Sequence, residues 1–183
     1  MNYGNFETKK WQDATELLAA PVRALLEQLQ SANVLVAPID PSFSDTAAFC
    51  TEYGVTPAQC ANCVIVEGKG GETNIFAACM VLGSMRLDVN IAVRTALAVK
   101  KVSFAKMEDA VSKSAMEYGA ITPVGLPSEW PILVDAAVAQ SEWVVIGSGV
   151  RNSKLIVPGS FFGTLPNTRI IDALAKPRET TPI

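Results

Sequence analysis

Residues 60–82 read CANCVIVEGKGGETNIFAACMVL, and the fold turns on whether they form a hairpin or a thiol motif with unrelated neighbours. Val64, Ile65 and Val66 are a β-branched apolar run, residues 69–72 (KGGE) are a glycine-rich connection, and residues 73–82 are a second apolar run. Two such runs joined by a short glycine-rich turn predict an antiparallel hairpin. The first strand then starts inside Cys60-Ala61-Asn62-Cys63, so this Cys-x-x-Cys does not open a helix as a thioredoxin-type pair does. In a strand, residues three apart face opposite sides with Cα atoms about 10 Å apart, beyond the ~7 Å that a disulfide spans. Zinc asks for four ligands, yet the chain has no His, and Cys50 and Cys79 form no second pair. No metal or other cofactor is expected, and the cysteines read as small buried apolar residues. Asn62 is the anomaly, a polar side chain predicted to share a strand face with Val64 and Val66.

Outward from the hairpin, helical and extended patterns mix. Leu18, Val22, Leu25, Leu26 and Leu29 recur at helical spacing within residues 13–30, with Pro21 marking a kink or a restart. Residues 33–40 (NVLVAPID) predict a strand. Residues 44–54 predict a short helix with Ser44 or Asp45 as cap and Gly54 as stop, placing Ala48 and Phe49 toward the core. Val89, Ala92, Val93, Ala96 and Leu97 predict another helix, and residues 107–117 a further short one. Beyond Tyr118 the chain is rich in Gly and Pro, with β-branched runs at 131–135, 142–147 and 154–157. Consecutive late strands favour antiparallel pairing, so the expected fold class is mixed α/β, not a doubly wound sheet. The tail AKPRETTPI reads as frayed.

The length of 183 residues, 49% hydrophobic and 18% charged, suits one domain over 1–183 with a sizeable core. A net charge of −3 argues against wrapping duplex nucleic acid, although gripping one nucleotide end stays open. Arg86, Arg94, Lys100, Lys101, Lys106, Lys113, Arg151 and Lys154 are scattered and read as solvated surface. No apolar run reaches the ~20 residues of a membrane span, and MNYGNFETKKWQD lacks the apolar centre of a signal peptide. A cytoplasmic protein with reduced thiols and no membrane partner is expected.

Familiar catalytic signatures are missing: there is no GxGxxG, no Gly-Lys-Ser phosphate loop and no GxSxG elbow, and without His no Ser-His-Asp apparatus. The segment MEYGAITPVGLP, 116–127, stands out instead. Gly119, Pro123, Gly125 and Pro127 fix an irregular loop before a strand, either a plain crossover or a loop whose backbone N–H groups approach a ligand carbonyl or carboxylate.

This loop, the strand PILVD ending in Asp135, then WVVIGSG and LIVPGSFFGTLP, resemble the YbaK-type family, relatives of the editing domain of bacterial prolyl-tRNA synthetases. The likeness runs over about residues 34–175, with residues 10–31 as a helical extension. It implies a compact, mostly antiparallel sheet curling toward a barrel and flanked by helices. It also implies trans-editing: hydrolysis of the ester joining a wrong amino acid to the tRNA 3′ end, with the loop backbone holding the carbonyl and the ribose hydroxyl helping to activate water. A second site of this kind is needed because one pocket rejects a slightly smaller amino acid by only about 1–3 kcal/mol. Carried over, Gly119 and Pro123 match the Gly-x-x-x-Pro loop, Ala120 departs from a second glycine, and Tyr118, Ile121 and Thr122 complete the loop. Asp135 matches an acidic strand-end position, Ser148 and Gly149 match a glycine-rich wall, and Asp40 and Asp45 lie between strand and helix as site or cap residues. The family's essential Lys falls at Asn62, which carries no charge. The resemblance therefore implies an aminoacyl-tRNA deacylase with Asn62, Gly119 and Asp135 as its catalytic positions. The alternative is a weakened or inactive module binding a tRNA 3′ end, an aminoacyl-nucleotide or a protein partner.

Overall fold

The computed structural model describes residues 3–71 and 74–178, and the 60–82 stretch forms the antiparallel pair that its alternation predicts. Strand β3 (Ala61–Lys69) runs in unbroken register with β4 (Asn74–Leu82), from Ala61 opposite Leu82 to Lys69 opposite Asn74. The end of the connecting turn, residues 72 and 73, lies outside the described residues, as do residues 179–183 of the tail.

The other strands are β1 (Lys9–Lys10), β2 (Leu35–Pro38), β5 (Met85–Leu87), β6 (Lys101–Phe104), β7 (Ile132–Asp135), β8 (Val144–Gly147), β9 (Ser153–Val157), β10 (Thr168–Ile171) and β11 (Ala175–Pro177). They make a five-stranded sheet in the order β10-β7-β4-β3-β6, a four-stranded antiparallel sheet β1-β2-β9-β8, and a ribbon β11-β5. A parallel bridge between Cys60 and Val145 ties the two larger sheets together, which gives the curled arrangement. One late strand departs from the antiparallel expectation: β7 runs parallel to both β4 and β10. Its four residues are all buried, as befits a strand covered on both faces, and a long excursion through β5, β6 and the loop after residue 115 supplies the crossover that parallel pairing requires. The start of the tail is not frayed, since Ala175–Pro177 pair with β5.

The helices are α1 (Ala20–Leu29), α2 (Thr46–Tyr53), α3 (Arg94–Leu97), α4 (Met107–Ser114) and α5 (Ala136–Ala139). Pro21 marks a restart: residues before it form two short 3-10 turns, and α1 begins with Pro21 in its first turn, where a missing N–H costs nothing. Asp45, not Ser44, caps α2 by accepting a hydrogen bond from Ala47 N at 2.9 Å, and Gly54 ends it in the left-handed region. A π-turn over Val89–Val93 leads into α3.

Strand alternation divides the five-stranded sheet into two apolar faces. Ala61, Ile65, Met80, Ile132 and Val134 pack with Val22 and Leu26 of α1 and with Ile146 and Leu155 of the second sheet. Val66, Cys79, Val81 and Leu133 pack on the opposite side with Leu87, Val93, Leu97 and Leu174. A third cluster lies under α2, where Phe49 meets Ala37, Cys60, Val145 and Ile156.

Candidate functional site

A cavity of about 780 Å³ opens where the first turn of α2, the start of β3, the end of β8 and the 118–121 loop converge. Ser44, Asp45, Thr46 and Phe49 come from the α2 side, residues 60–65 from β3, Val145, Ile146 and Gly147 from β8, and Tyr118, Gly119 and Ile121 from the loop. Arg151 and Lys154 reach it from the turn after β8 and from β9. Phe104, Met107 and Tyr118 border it with 64%, 54% and 62% of their surface exposed, an exposed apolar and aromatic rim.

The loop is positioned by contacts on its outer side. The Ala120 carbonyl accepts from Gly149 N at 2.9 Å, and Arg151 donates through Nη1 to the Tyr118 carbonyl at 3.2 Å and through Nη2 to the Pro41 carbonyl at 3.1 Å. A Cβ at Gly147 would collide with the Ala120 carbonyl, so a glycine in β8 lets the loop backbone lie directly on the strand. Gly119 has φ +77°, a left-handed conformation that side chains disfavour. Neither Gly119 N–H nor Ile121 N–H has an acceptor among the described residues, and both residues border the cavity.

Of the residues singled out in the sequence, the structure brings Asn62, Tyr118, Gly119, Ile121 and Asp45 to this cavity. Asn62 is on the Val64 and Val66 face as predicted, but that face packs against the α3 side, whereas Ala61, Cys63 and Ile65 face the loop. Asn62 reaches the cavity at the strand's start, where its Oδ1 accepts from Thr46 Oγ1 at 2.7 Å.

Asp135 does not border the cavity and is corrected to a structural role. Alternation in β7 puts it on the Leu133 face, and its carboxylate is fully engaged, Oδ1 accepting from Ala137 N and Oδ2 from Ala175 N, both at 2.9 Å. Ala120, Thr122 and Pro123 are buried behind the loop's cavity-facing residues. Ser148 and Gly149 form no wall of it: Ser148 Oγ lies 2.7 Å from Ser153 Oγ inside the core, and a Cβ at Gly149 would collide with Ala19. Asp40 is exposed, and two hydrogen bonds from Ser42 at 2.7 and 2.8 Å hold its carboxyl below the usual carboxylate range, so it acts as a cap.

Sequence reasoning missed Lys154. Placed among scattered surface cations, it is instead 8% exposed, donates from Nζ to the Ser44 carbonyl at 2.8 Å, and lies 5.6 Å from the centre of the Phe49 ring. Burial lowers its pKa, with Arg151 adding repulsion and with Cys60, Asp45 and Cys50 opposing the shift. Cys60 and Cys63, also at the cavity, are free thiols whose pKa burial raises well above the ordinary value. They are protonated near neutral pH, hence poor nucleophiles.

The sequence model of the aminoacyl-tRNA editing domain matches residues 40–161. No curated protein sequence matches the chain. Among solved structures, a hypothetical protein, APE2540, is similar at a TM-score of 0.73 and 18% identity, covering 83% of this chain and 97% of its own. A proposed trans-editing enzyme for prolyl tRNA synthetase is similar at a TM-score of 0.73 and 18% identity, covering 86% of this chain and 96% of its own. These likenesses extend the shared fold well beyond the matched segment, and the sequence match spans most of the chain. The chain therefore belongs to the aminoacyl-tRNA editing domain family.

Proposed function

We propose that the chain hydrolyses the ester of mischarged aminoacyl-tRNA in trans. The observation that supports this most directly is the 118–121 loop: Gly119 and Ile121, on either side of Ala120, have N–H groups without an acceptor among the described residues and border a cavity large enough for an amino acid and a terminal nucleoside. Backbone donors of this kind stabilise a carbonyl oxygen as it gains charge, a contribution commonly worth 10²–10³ in rate per donor. The nucleophile is water. The protein has no His, the cavity thiols are held protonated, and Asp45 already accepts from Ala47 N in its capping role. Activation of that water then falls to a hydroxyl of the substrate's own ribose beside the bound ester. The exposed faces of Phe104 and Tyr118 at the rim suit stacking against the unpaired bases of a tRNA 3′ end.

The experiment is release of amino acid from mischarged tRNA under single-turnover conditions, beginning with alanine, serine and cysteine. Release faster than spontaneous hydrolysis is expected. No acceleration across a panel of aminoacyl-tRNAs, with an amide-linked aminoacyl-adenosine still bound, would replace the hydrolase by a binding module.

A further inference from the structure

Lys154 is a buried lysine that the Asp45 charge reaches only from beyond ion-pair contact. It is 8% exposed, and no carboxylate among the described residues lies within ion-pair distance of it. Buried lysines are normally paired, because removing a charge from water costs several kcal/mol unless a counter-charge replaces the hydration. Here one of three N–H donors is used, on the Ser44 carbonyl, and the other two have no acceptor among the described residues. The groups around it do not fill the gap: burial holds the Cys60 thiol protonated, Arg151 is a second cation held by two backbone carbonyls, and Asp45 caps α2. The lysine sits on β9 between Ala37 of β2 and Gly147 of β8, so the sheet fixes its base while its head borders the cavity.

Building on the proposed editing reaction, we propose that Lys154 receives an anionic oxygen of the bound substrate, so that the site's cation comes from β9 while Asn62 leaves β3 neutral. Two parts of an aminoacyl-tRNA end can supply that oxygen: the 5′-phosphate of the terminal nucleotide, or the ester carbonyl oxygen as the tetrahedral intermediate forms.

The test compares the native protein with Lys154→Met and with Lys154→Gln, which can still donate to the Ser44 carbonyl. Two amide-linked probes are titrated, 3′-alanylamino-adenosine and its 5′-monophosphate, and deacylation is followed across pH. A phosphate contact predicts that both variants bind the monophosphate at least tenfold more weakly while binding the adenosine probe normally. An oxyanion contact predicts unchanged binding of both probes and kcat at least tenfold lower. In either case native kcat/KM falls as pH rises through the lowered lysine pKa, and the variants lose that limb; a lysine that merely braces the Ser44 segment would move neither. Variants that match the native protein in probe binding, rate and pH profile overturn the inference. If the native protein deacylates nothing, the editing reaction itself fails, and the probes alone decide: equal affinities of native and variant proteins for the monophosphate then refute the role of Lys154.

Discussion

At Gly119 two constraints coincide. The backbone has φ +77°, and a Cβ there would lie 3.0 Å from Arg151 Nη1, the atom that donates to the Tyr118 carbonyl. Any side chain therefore strains the loop by about 1–2 kcal/mol and displaces the guanidinium that positions it. Gly119→Val is expected to lower kcat/KM about 10²–10³-fold, the size of a lost carbonyl-stabilising donor, while the protein still unfolds cooperatively. Near-native deacylation by this variant would show that the loop backbone does not touch the ester. Asn62 obeys a different logic. Its carboxamide oxygen accepts from Thr46 Oγ1, and a lysine has no acceptor to offer. Asn62→Lys would also add a cation to a cavity that Arg151 and Lys154 already border. Activity is expected to fall, not to rise; an increase in kcat/KM would show that β3 is the proper seat of the cation and that Lys154 does not replace it.

Among the elements, those whose alternation repeats over many residues were legible in the sequence. The pair β3 and β4 announces itself through β-branched runs and a glycine turn, and α2 through Asp45 and Gly54. Where one residue type has two uses, the reading failed. Lys154 lies in a five-residue strand buried at every position, and Ser-Lys-Leu-Ile-Val gives no sign that its lysine points under α2 instead of to solvent. Asp135 sits at the end of a strand, where a carboxylate can serve chemistry or cap a helix, and only the parallel neighbours of β7 reveal that it faces away from the cavity. That placement has a measurable consequence. Asp135→Asn would turn an amide donor toward Ala137 N–H or Ala175 N–H, leaving a buried backbone group unsatisfied. A loss of about 2–3 kcal/mol in urea unfolding is expected, within the range for buried bonds to a charged acceptor, with the rate per folded molecule intact. A large fall in kcat without loss of stability would restore Asp135 to the reaction.

For the whole molecule, charge decides how a tRNA can be held. The chain carries 15 Lys and Arg against 18 Asp and Glu, and among the described residues Arg151 and Lys154 are the cations that border the cavity. A protein that grips the duplex arm neutralises many phosphates, and its affinity collapses with added salt. Under the proposed function its two cavity cations would serve one or two phosphates at the single-stranded end, and the exposed Phe104 and Tyr118 would offer contact that salt does not screen. With a slope of about −0.7 in log K against log salt per single-strand phosphate, binding of an amide-linked aminoacyl-tRNA should weaken only about three- to sevenfold between 50 and 200 mM salt. A trinucleotide CCA carrying the same amino acid should show nearly the same slope, because the acceptor stem adds few ionic contacts. A slope steeper than about −4 for the full tRNA, shallow for the trinucleotide, would mean that the stem is held by scattered surface lysines acting together, and that recognition is not confined to the cavity.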